Sequence, residues 1–529
     1  MTQGASKNQG RPDGAASFAP AIELRGISKS FGPVQANKDI DLSVAKGTIH
    51  GIVGENGAGK STLMSILYGF YQADRGEIFI NGAPARIDNS DDAIAAGIGM
   101  VHQHFMLVQP FTVLENVVLG AEDGALLRPS LSKARKLLSN LATEYELEVD
   151  PDAVVGELAV GFQQRVEILK ALYRSADILI LDEPTGVLTP AEADHLFRIL
   201  EGLKAQGKTI ILITHKLREI MAVTDTVSVM RRGEMTATVK TADTSPAEIA
   251  ELMVGRRVLL QVDKTPAQPT QTLMSVKDLS VTGEDGVLRL KSVSLDLKAG
   301  EILGVAGVAG NGQSALLEVL GGITEASDGT VTLNGAQLDL KGGDDARDRR
   351  HRGVGHVPED RHRLGLIMPY GAWENTCFGY HDAQEFQGSM GLLNRQAIRS
   401  DAQGKMDRFD VRPGNPDLKA ANFSGGNQQK IVLAREIERN PDVLLVGQPT
   451  RGVDIGAIEF IHQQIVALRD KGKAILLVSV ELEEILALSD RIIVMFDGRI
   501  SGERLPGETD ENELGLLMAG IDPRSESAA

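Results

Sequence analysis

Eight residues, GENGAGKS from Gly54 to Ser61, fit the pattern Gly-x-x-x-x-Gly-Lys-[Ser/Thr] completely. Its glycines, Gly54, Gly57 and Gly59, let backbone N–H groups turn inward around phosphate oxygens, with Glu55, Asn56 and Ala58 completing the loop. A helix beginning at Lys60 adds the positive end of its dipole. The Lys60 ammonium suits the β- and γ-phosphates of ATP, and the Ser61 hydroxyl, followed by Thr62, suits a Mg2+ ion. A Gly-rich turn without a ligand is the plain alternative. The strand TIHGIVG before the loop and the helix after it argue against that.

A second chemical feature lies at ILILDEPT, an apolar strand that ends in Asp182 and Glu183. Two carboxylates emerging beside a phosphate loop divide naturally into two tasks. Asp182 would hold Mg2+, directly or through water, and Glu183 would polarise the attacking water as general base. A strand capped by two solvated acids is the alternative, and the phosphate loop upstream weighs against it.

The elements that must position these residues occur twice. GIVGENGAGKSTL around Lys60 answers to GVAGVAGNGQSALL around Gln313, 253 positions on. IGMVHQ at Gln103 answers to VGHVPE at Glu359, 256 positions on. From Ala159 to Gly233 the landmarks recur at 265, pairing AVGFQQR with SGGNQQK and ILILDEPTG with VLLVGQPTR. In each copy short Val/Ile-rich strands alternate with amphipathic helical stretches, the pattern of a mostly parallel α/β sheet. Residues 122 to 175 read as mostly helical. The expected boundaries are a disordered tail at 1–19, a first domain at 20–257, a linker at 258–273, a second domain at 274–522 and a tail at 523–529. Sixteen linker residues could extend to roughly 50 Å.

Composition narrows the class. A chain of 529 residues with 42% hydrophobic and 24% charged residues can bury two or three cores. Its net charge of -17 argues against sequence-independent nucleic-acid binding. One cysteine, Cys377, excludes an internal disulfide framework. No stretch approaches the roughly 18–20 apolar residues that span a bilayer, so a membrane role must come through a partner.

Five ordered motifs now stand together: the phosphate loop, Gln103, LAVGFQQR, the acidic strand end and His215 in LLITHK. In this order they resemble the ATP-binding cassette of ABC transporters, over nearly all of residues 22 to 522. The resemblance implies two tandem P-loop NTPase domains, each with a parallel sheet core, an antiparallel β part and a helical subdomain. It implies that Gln103 ligates Mg2+ and senses the transmembrane partner, that His215 contacts the γ-phosphate, and that Phe31 in SKSFG stacks on adenine. On the residues alone, Phe31 as a core aromatic and His215 as an ordinary strand-end histidine stay open.

The second copy has lost the catalytic groups. Lys60 becomes Gln313, Asp182 and Glu183 become Gly447 and Gln448, His215 becomes Val480, Gln103 becomes Glu359, and Phe31 becomes Gly283. The signatures sort the opposite way. The second copy keeps SGGNQQK, with Ser424, Gly425, Gly426, Asn427 and Gln428, whereas the first has Ala159 and Val160 in place of serine and glycine. Cassettes of the family pair head to tail, so the resemblance implies one complete site, in which the first phosphate loop faces Ser424–Gly426, and one dead site. Glycine in the signature is expected to let the backbone approach the γ-phosphate.

GNQQK, QPTRGVD and GHVPEDRHRLGL resemble the ATPases of bacterial simple-sugar importers, in the nucleoside-uptake branch. Monosaccharide import of the ribose, galactose or xylose type is the alternative, and a soluble twin-cassette ATPase acting on ribosomes or DNA is a remote one. The implied partners are two transmembrane permease subunits and a periplasmic or lipid-anchored solute-binding protein, with the chain peripheral on the cytoplasmic face of the inner (plasma) membrane and no nucleic acid bound. His351, His356 and His362 lie among arginines without metal-ligand spacing and read as a charged loop beside the degenerate pocket, facing the membrane partner.

Overall fold

Alternating buried and exposed side chains make β1 (Ile22–Phe31) and β2 (Val34–Val44) an antiparallel pair with one covered face. β4 (Arg75–Ile80) and β5 (Ala83–Ala85) complete a four-stranded antiparallel sheet in the order β2-β1-β4-β5. The strands that carry the phosphate loop and the acidic pair are buried throughout instead. β3 (Ile49–Gly54), β6 (Ile98–Val101), β7 (Ile178–Asp182) and β8 (Thr209–Ile213) are mostly apolar and buried along their whole length, covered on both faces as parallel strands require. With β9 (Thr226–Arg231) they pair in parallel, and β10 (Glu234–Lys240) closes the edge antiparallel, in the order β10-β9-β3-β8-β7-β6.

The second copy repeats this plan. β11 (Thr272–Thr282), β12 (Leu288–Lys298), β14 (Asp328–Leu333) and β15 (Ala336–Gln337) form its antiparallel sheet. β13 (Glu301–Ala306), β16 (Val354–Val357), β17 (Val443–Gly447), β18 (Ala474–Ser479), β19 (Arg491–Phe496) and β20 (Arg499–Arg504) form the other, in the order β16-β17-β18-β13-β19-β20. The expected helical stretches are helices Leu127–Glu144 and Val160–Tyr173 in the first copy, answered by Arg395–Arg408 and Gly425–Ile437 in the second.

This computed structural model describes residues 20–524 except 33, 103–104, 122–126, 146, 159, 187, 189, 258–263, 284, 309 and 389–391. The chain divides into two units, one reaching Gly186 and including Leu196–Ser245, the other including 188–195 and Pro246 onward. The division thus falls ahead of the helix Pro246–Val254, not at 257. Arg256, just past that helix, pairs with Glu459 at 2.8 Å inside the second unit. Part of the expected linker is also tied down. Lys264 donates to the carbonyls of Leu488 (2.9 Å) and Ser489 (2.5 Å), and Arg469 donates to that of Thr265 at 3.0 Å. Among the described residues no helix is long and apolar enough to cross a membrane.

Candidate functional site

In the first unit the phosphate loop joins β3 to the helix Lys60–Leu67, and its shape depends on missing side chains. Gly59 caps the helix at φ 99°, and a Cβ there would lie 2.3 Å from the Ala36 carbonyl oxygen. Asn37, fully buried, donates to the Gly59 carbonyl at 3.0 Å and pins the turn. Lys60 is only 6% exposed, and its ammonium donates to the carbonyls of Gly54 (2.6 Å) and Glu55 (3.2 Å). Burial pulls its pKa below the usual lysine range, against the charges of Glu183, Asp182 and Glu55.

β7 delivers Asp182 and Glu183 beside this loop, and their environments push them apart. Burial, reinforced by the Glu183 charge, raises the Asp182 carboxyl; the Lys60 charge and a hydrogen bond from Ser61 only partly offset this. Burial also acts to raise Glu183, but the His215 hydrogen bond, with the charges of His215, Lys60 and Lys216, outweighs it and leaves the carboxyl low. Asp182 therefore favours a cation or proton, while Glu183 stays an ionised acceptor. Glu183 sits at φ 47°, its N–H donates to the Ile213 carbonyl at 2.8 Å, and its carboxylate meets His215 Nδ1 at 2.8 Å. His215 follows β8, so adjacent parallel strands present Glu183 and His215 together. Phe31 is 43% exposed, which removes the core reading. Its ring meets the edge of Tyr71 at 5.1 Å, an aromatic that motif reading overlooked. Gln103 lies outside the described residues.

The second unit keeps the backbone and changes the chemistry. Gly310 and Gly312 have φ 94° and 102°, against 83° and 99° at Gly57 and Gly59. Gln313, 5% exposed, donates to the Val308 carbonyl at 3.1 Å, the counterpart of the Lys60–Glu55 bond. Gln448 has φ 48°, its N–H donates to the Val478 carbonyl at 2.8 Å, and its Oε1 accepts the Val480 N–H at 3.3 Å. One carboxylate has moved in from elsewhere. Glu359 accepts a hydrogen bond from the Ser314 hydroxyl, as Asp182 does from Ser61. A Cβ on Gly447 would lie 2.5 Å from Glu359 Cγ, so the Glu359 side chain takes the room a β7-type aspartate would use.

At the signature, Ser424 caps the helix Gly425–Ile437 and holds Asn427 through its Nδ2 at 2.8 Å. Asn427 Oδ1 accepts the Arg412 N–H at 2.7 Å. Gln428 is 5% exposed; its amide donates to the carbonyls of Ala420 (3.0 Å) and Phe423 (3.2 Å) and its Oε1 meets His362 Nε2 at 2.9 Å. A Cβ on Gly425 would meet the Gly452 oxygen at 2.6 Å, and one on Gly426 would meet Asp454 Oδ2 at 2.7 Å. Packing inside the second unit therefore requires glycine at 425, where the obstacle is backbone, while at 426 the obstacle is the carboxylate end of Asp454. Ala159 lies outside the described residues.

The histidine-rich segment is not one free charged loop. His356 is buried in β16, with its pKa pushed down to about 4 by desolvation. His351 pairs with Asp382 at 3.1 Å. Among the described residues no three His, Cys, Asp or Glu side chains cluster to hold a metal.

The ABC transporter family model matches residues 37–186 and 290–451, most of each copy. The chain belongs to the ABC transporter family. It is an ATP-hydrolysing, two-cassette member, and the comparison covers nearly its whole length. It is 48% identical to the nucleoside import ATP-binding protein of Lactococcus lactis, over 94% of this chain and 98% of that protein. It is 47% identical to the guanosine import ATP-binding protein of Bacillus subtilis, over 94% and 97%. The glucose import ATP-binding protein of Haloferax volcanii follows at 45% identity over 95% and 96%.

Proposed function

We propose that this ABC ATPase hydrolyses ATP at one site, built on the Lys60 loop, and couples it to import of nucleosides. The observation that carries the single-site reading is the sorting of side chains on two matching backbones. Lys60, Asp182, Glu183 and His215 converge in the first cassette, whereas Gln313, Gly447, Gln448 and Val480 hold the equivalent places in the second. Ser61 and Asp182 put two hard oxygen donors side by side, which fits Mg2+; Gln103 would add a third by family pattern. Bound there, the ion would neutralise charge on the β- and γ-oxygens.

Glu183, held ionised by its hydrogen bond with His215, takes the proton of the attacking water, and by family pattern His215 contacts the γ-phosphate. Lys60 exchanges its two loop carbonyls for phosphate oxygens. Phe31, with Tyr71 at its edge, offers an exposed ring to adenine. Ser424, Gly425 and Gly426 serve the nucleotide held by Lys60, as head-to-tail pairing requires, with Asn427 and Gln428 bracing that turn. Two permease subunits carry the solute and a solute-binding protein delivers it, with the cassettes peripheral at the cytoplasmic face of the membrane.

Nucleosides are favoured by the relatives at 48% and 47% identity, and the glucose relative at 45% supports monosaccharides as the second reading. The test is ATPase stimulation of the complex in proteoliposomes with its solute-binding protein. Guanosine or another nucleoside should raise turnover and accumulate inside. Stimulation by ribose or glucose with none by nucleosides would select the second reading.

A further inference from the structure

The geometry points to Arg361 as a positioning residue for ATP hydrolysis, bracing the Ser424–Gly426 turn from inside the second cassette; this rests on the reading that the turn serves the nucleotide held by Lys60. Arg361 opens the single wide turn Arg361–Gly365 that follows β16. Its guanidinium joins segments far apart in the chain. Nη1 donates to the Arg451 carbonyl at 2.6 Å, and Nε reaches Gln428 Oε1 at 3.4 Å. Nη2 packs against both glycine turns, 2.7 Å from where a Cβ on Gly425 would be and 3.3 Å from one on Gly452. Gln428 passes the restraint on to the Ala420 and Phe423 carbonyls, just ahead of Ser424.

A partly buried arginine is ordinarily explained by a carboxylate, but the hydrogen bonds of Arg361 go to a carbonyl and an amide oxygen. Asp360 is adjacent, yet it accepts the N–H groups of His362 and Arg363. The cation therefore lies beside the N-terminus of a 13-residue helix, itself the positive end of a dipole. Burial lowers the Arg361 pKa, with Asp360 opposing and Arg451 adding to the fall, and a guanidinium remains protonated at neutral pH. A comparison within the chain supports the same role. The offset between the copies grows from 256 at Gln103 and Glu359 to 259 at Val108 and Ile367, so the Arg361 turn falls where the second copy carries three extra residues, and the first copy has no arginine between Gln103 and Val108. The arginine accompanies the intact Ser-Gly-Gly signature and is absent beside the altered one.

The test compares Arg361→Ala, Arg361→Lys and Ser424→Arg in the assembled transporter, with melting temperature and ATP affinity of the full chain measured alongside. Arg361→Ala should lower kcat on the order of 10-fold, because a misplaced signature loses orientation at the γ-phosphate. KM and ATP affinity should stay within about twofold, since Lys60 and its loop are untouched. Arg361→Lys keeps the charge and the reach to the Arg451 carbonyl but loses the fork, and should fall between wild type and Ala. A kcat within twofold of wild type in Arg361→Ala, a parallel loss of ATP affinity, or a Lys variant no better than Ala overturns the assignment. Should the Ala variant fail to assemble, Arg361→Lys carries the test, and a loss of less than about twofold in kcat refutes it. Ser424→Arg separates the two levels. If it hydrolyses normally, the head-to-tail reading fails; if it is inactive while Arg361→Ala is normal, only the role of Arg361 fails.

Discussion

Restoring the lost aspartate of the second cassette should damage it. In Gly447→Asp the new Cβ would lie 2.5 Å from Glu359 Cγ, 2.7 Å from Leu317 Cδ1 and 2.9 Å from the Glu359 backbone nitrogen. The two side chains can shift a little; the nitrogen lies in the chain that continues β16. Overpacking of this kind costs about 1–3 kcal/mol. A second carboxylate beside Glu359 adds repulsion of about 1–3 kcal/mol at the effective dielectric of a half-buried site. Taking about 3 kcal/mol in all, a domain of this size should melt about 6–12 °C lower. Gly447→Ala, which keeps the clash without the charge, should lose about half of that. Glu359→Ala removes Cγ and the carboxylate and should recover more than half of the loss when combined with Gly447→Asp. The assay is scanning calorimetry of the full chain, following the transition of the second cassette. Melting of Gly447→Asp within about 1 °C of wild type, or no recovery in the double variant, would refute the idea that Glu359 occupies the aspartate's place.

Glu183→Gln should leave ATP affinity nearly intact and lower turnover about 100-fold or more, read by ATPase rate and nucleotide binding in the assembled complex. Lys60→Ala should nearly abolish hydrolysis, whereas Gln313→Ala, which removes only a neutral amide, should cost threefold or less; equal losses would show the second pocket to be catalytic. Acid should weaken both cassettes. His50 and His356, one in each, are held neutral by burial with pKa values of about 4, against about 6.5 unfolded. Their folded pKa values are depressed, so the unfolded chain takes up protons first, and stability falls as pH drops from about 6.5 to 4. The cost is about 3 kcal/mol per histidine at pH 4. Melting curves of His50→Gln and His356→Gln should show a shallower acid slope in the affected transition.

The juxtaposition of the phosphate loop and the acidic pair was legible because its parts are short motifs with fixed geometry. A phosphate loop must follow a strand and open a helix, and an acidic pair must end a neighbouring strand, so Lys60, Asp182 and Glu183 could be placed from spacing. What depended on side-chain packing was not legible. Gly447 reads as the loss of a carboxylate, and nothing in its neighbours shows that Glu359, 88 positions earlier, fills the space. Gly425 reads as room for a phosphate, whereas the Gly452 carbonyl already requires glycine there. Phe31 could be core or stacking platform until its exposure and its contact with Tyr71 were known. The linker read as a free tether because Pro and polar residues say nothing about the Lys264 anchor.

The left-handed turn that holds the Glu183 carboxylate recurs at Gln448, where the side chain is a neutral amide. A non-glycine residue in that conformation costs about 1–3 kcal/mol, and such strain near an active site invites explanation as a device for catalysis. The duplicated cassette acts as the molecule's own control and argues otherwise. At Gln448 the same strain accompanies a neutral amide, and the bend ends β17 and returns an N–H to the Val478 carbonyl. The bend belongs to the architecture of both cassettes, whichever side chain it presents.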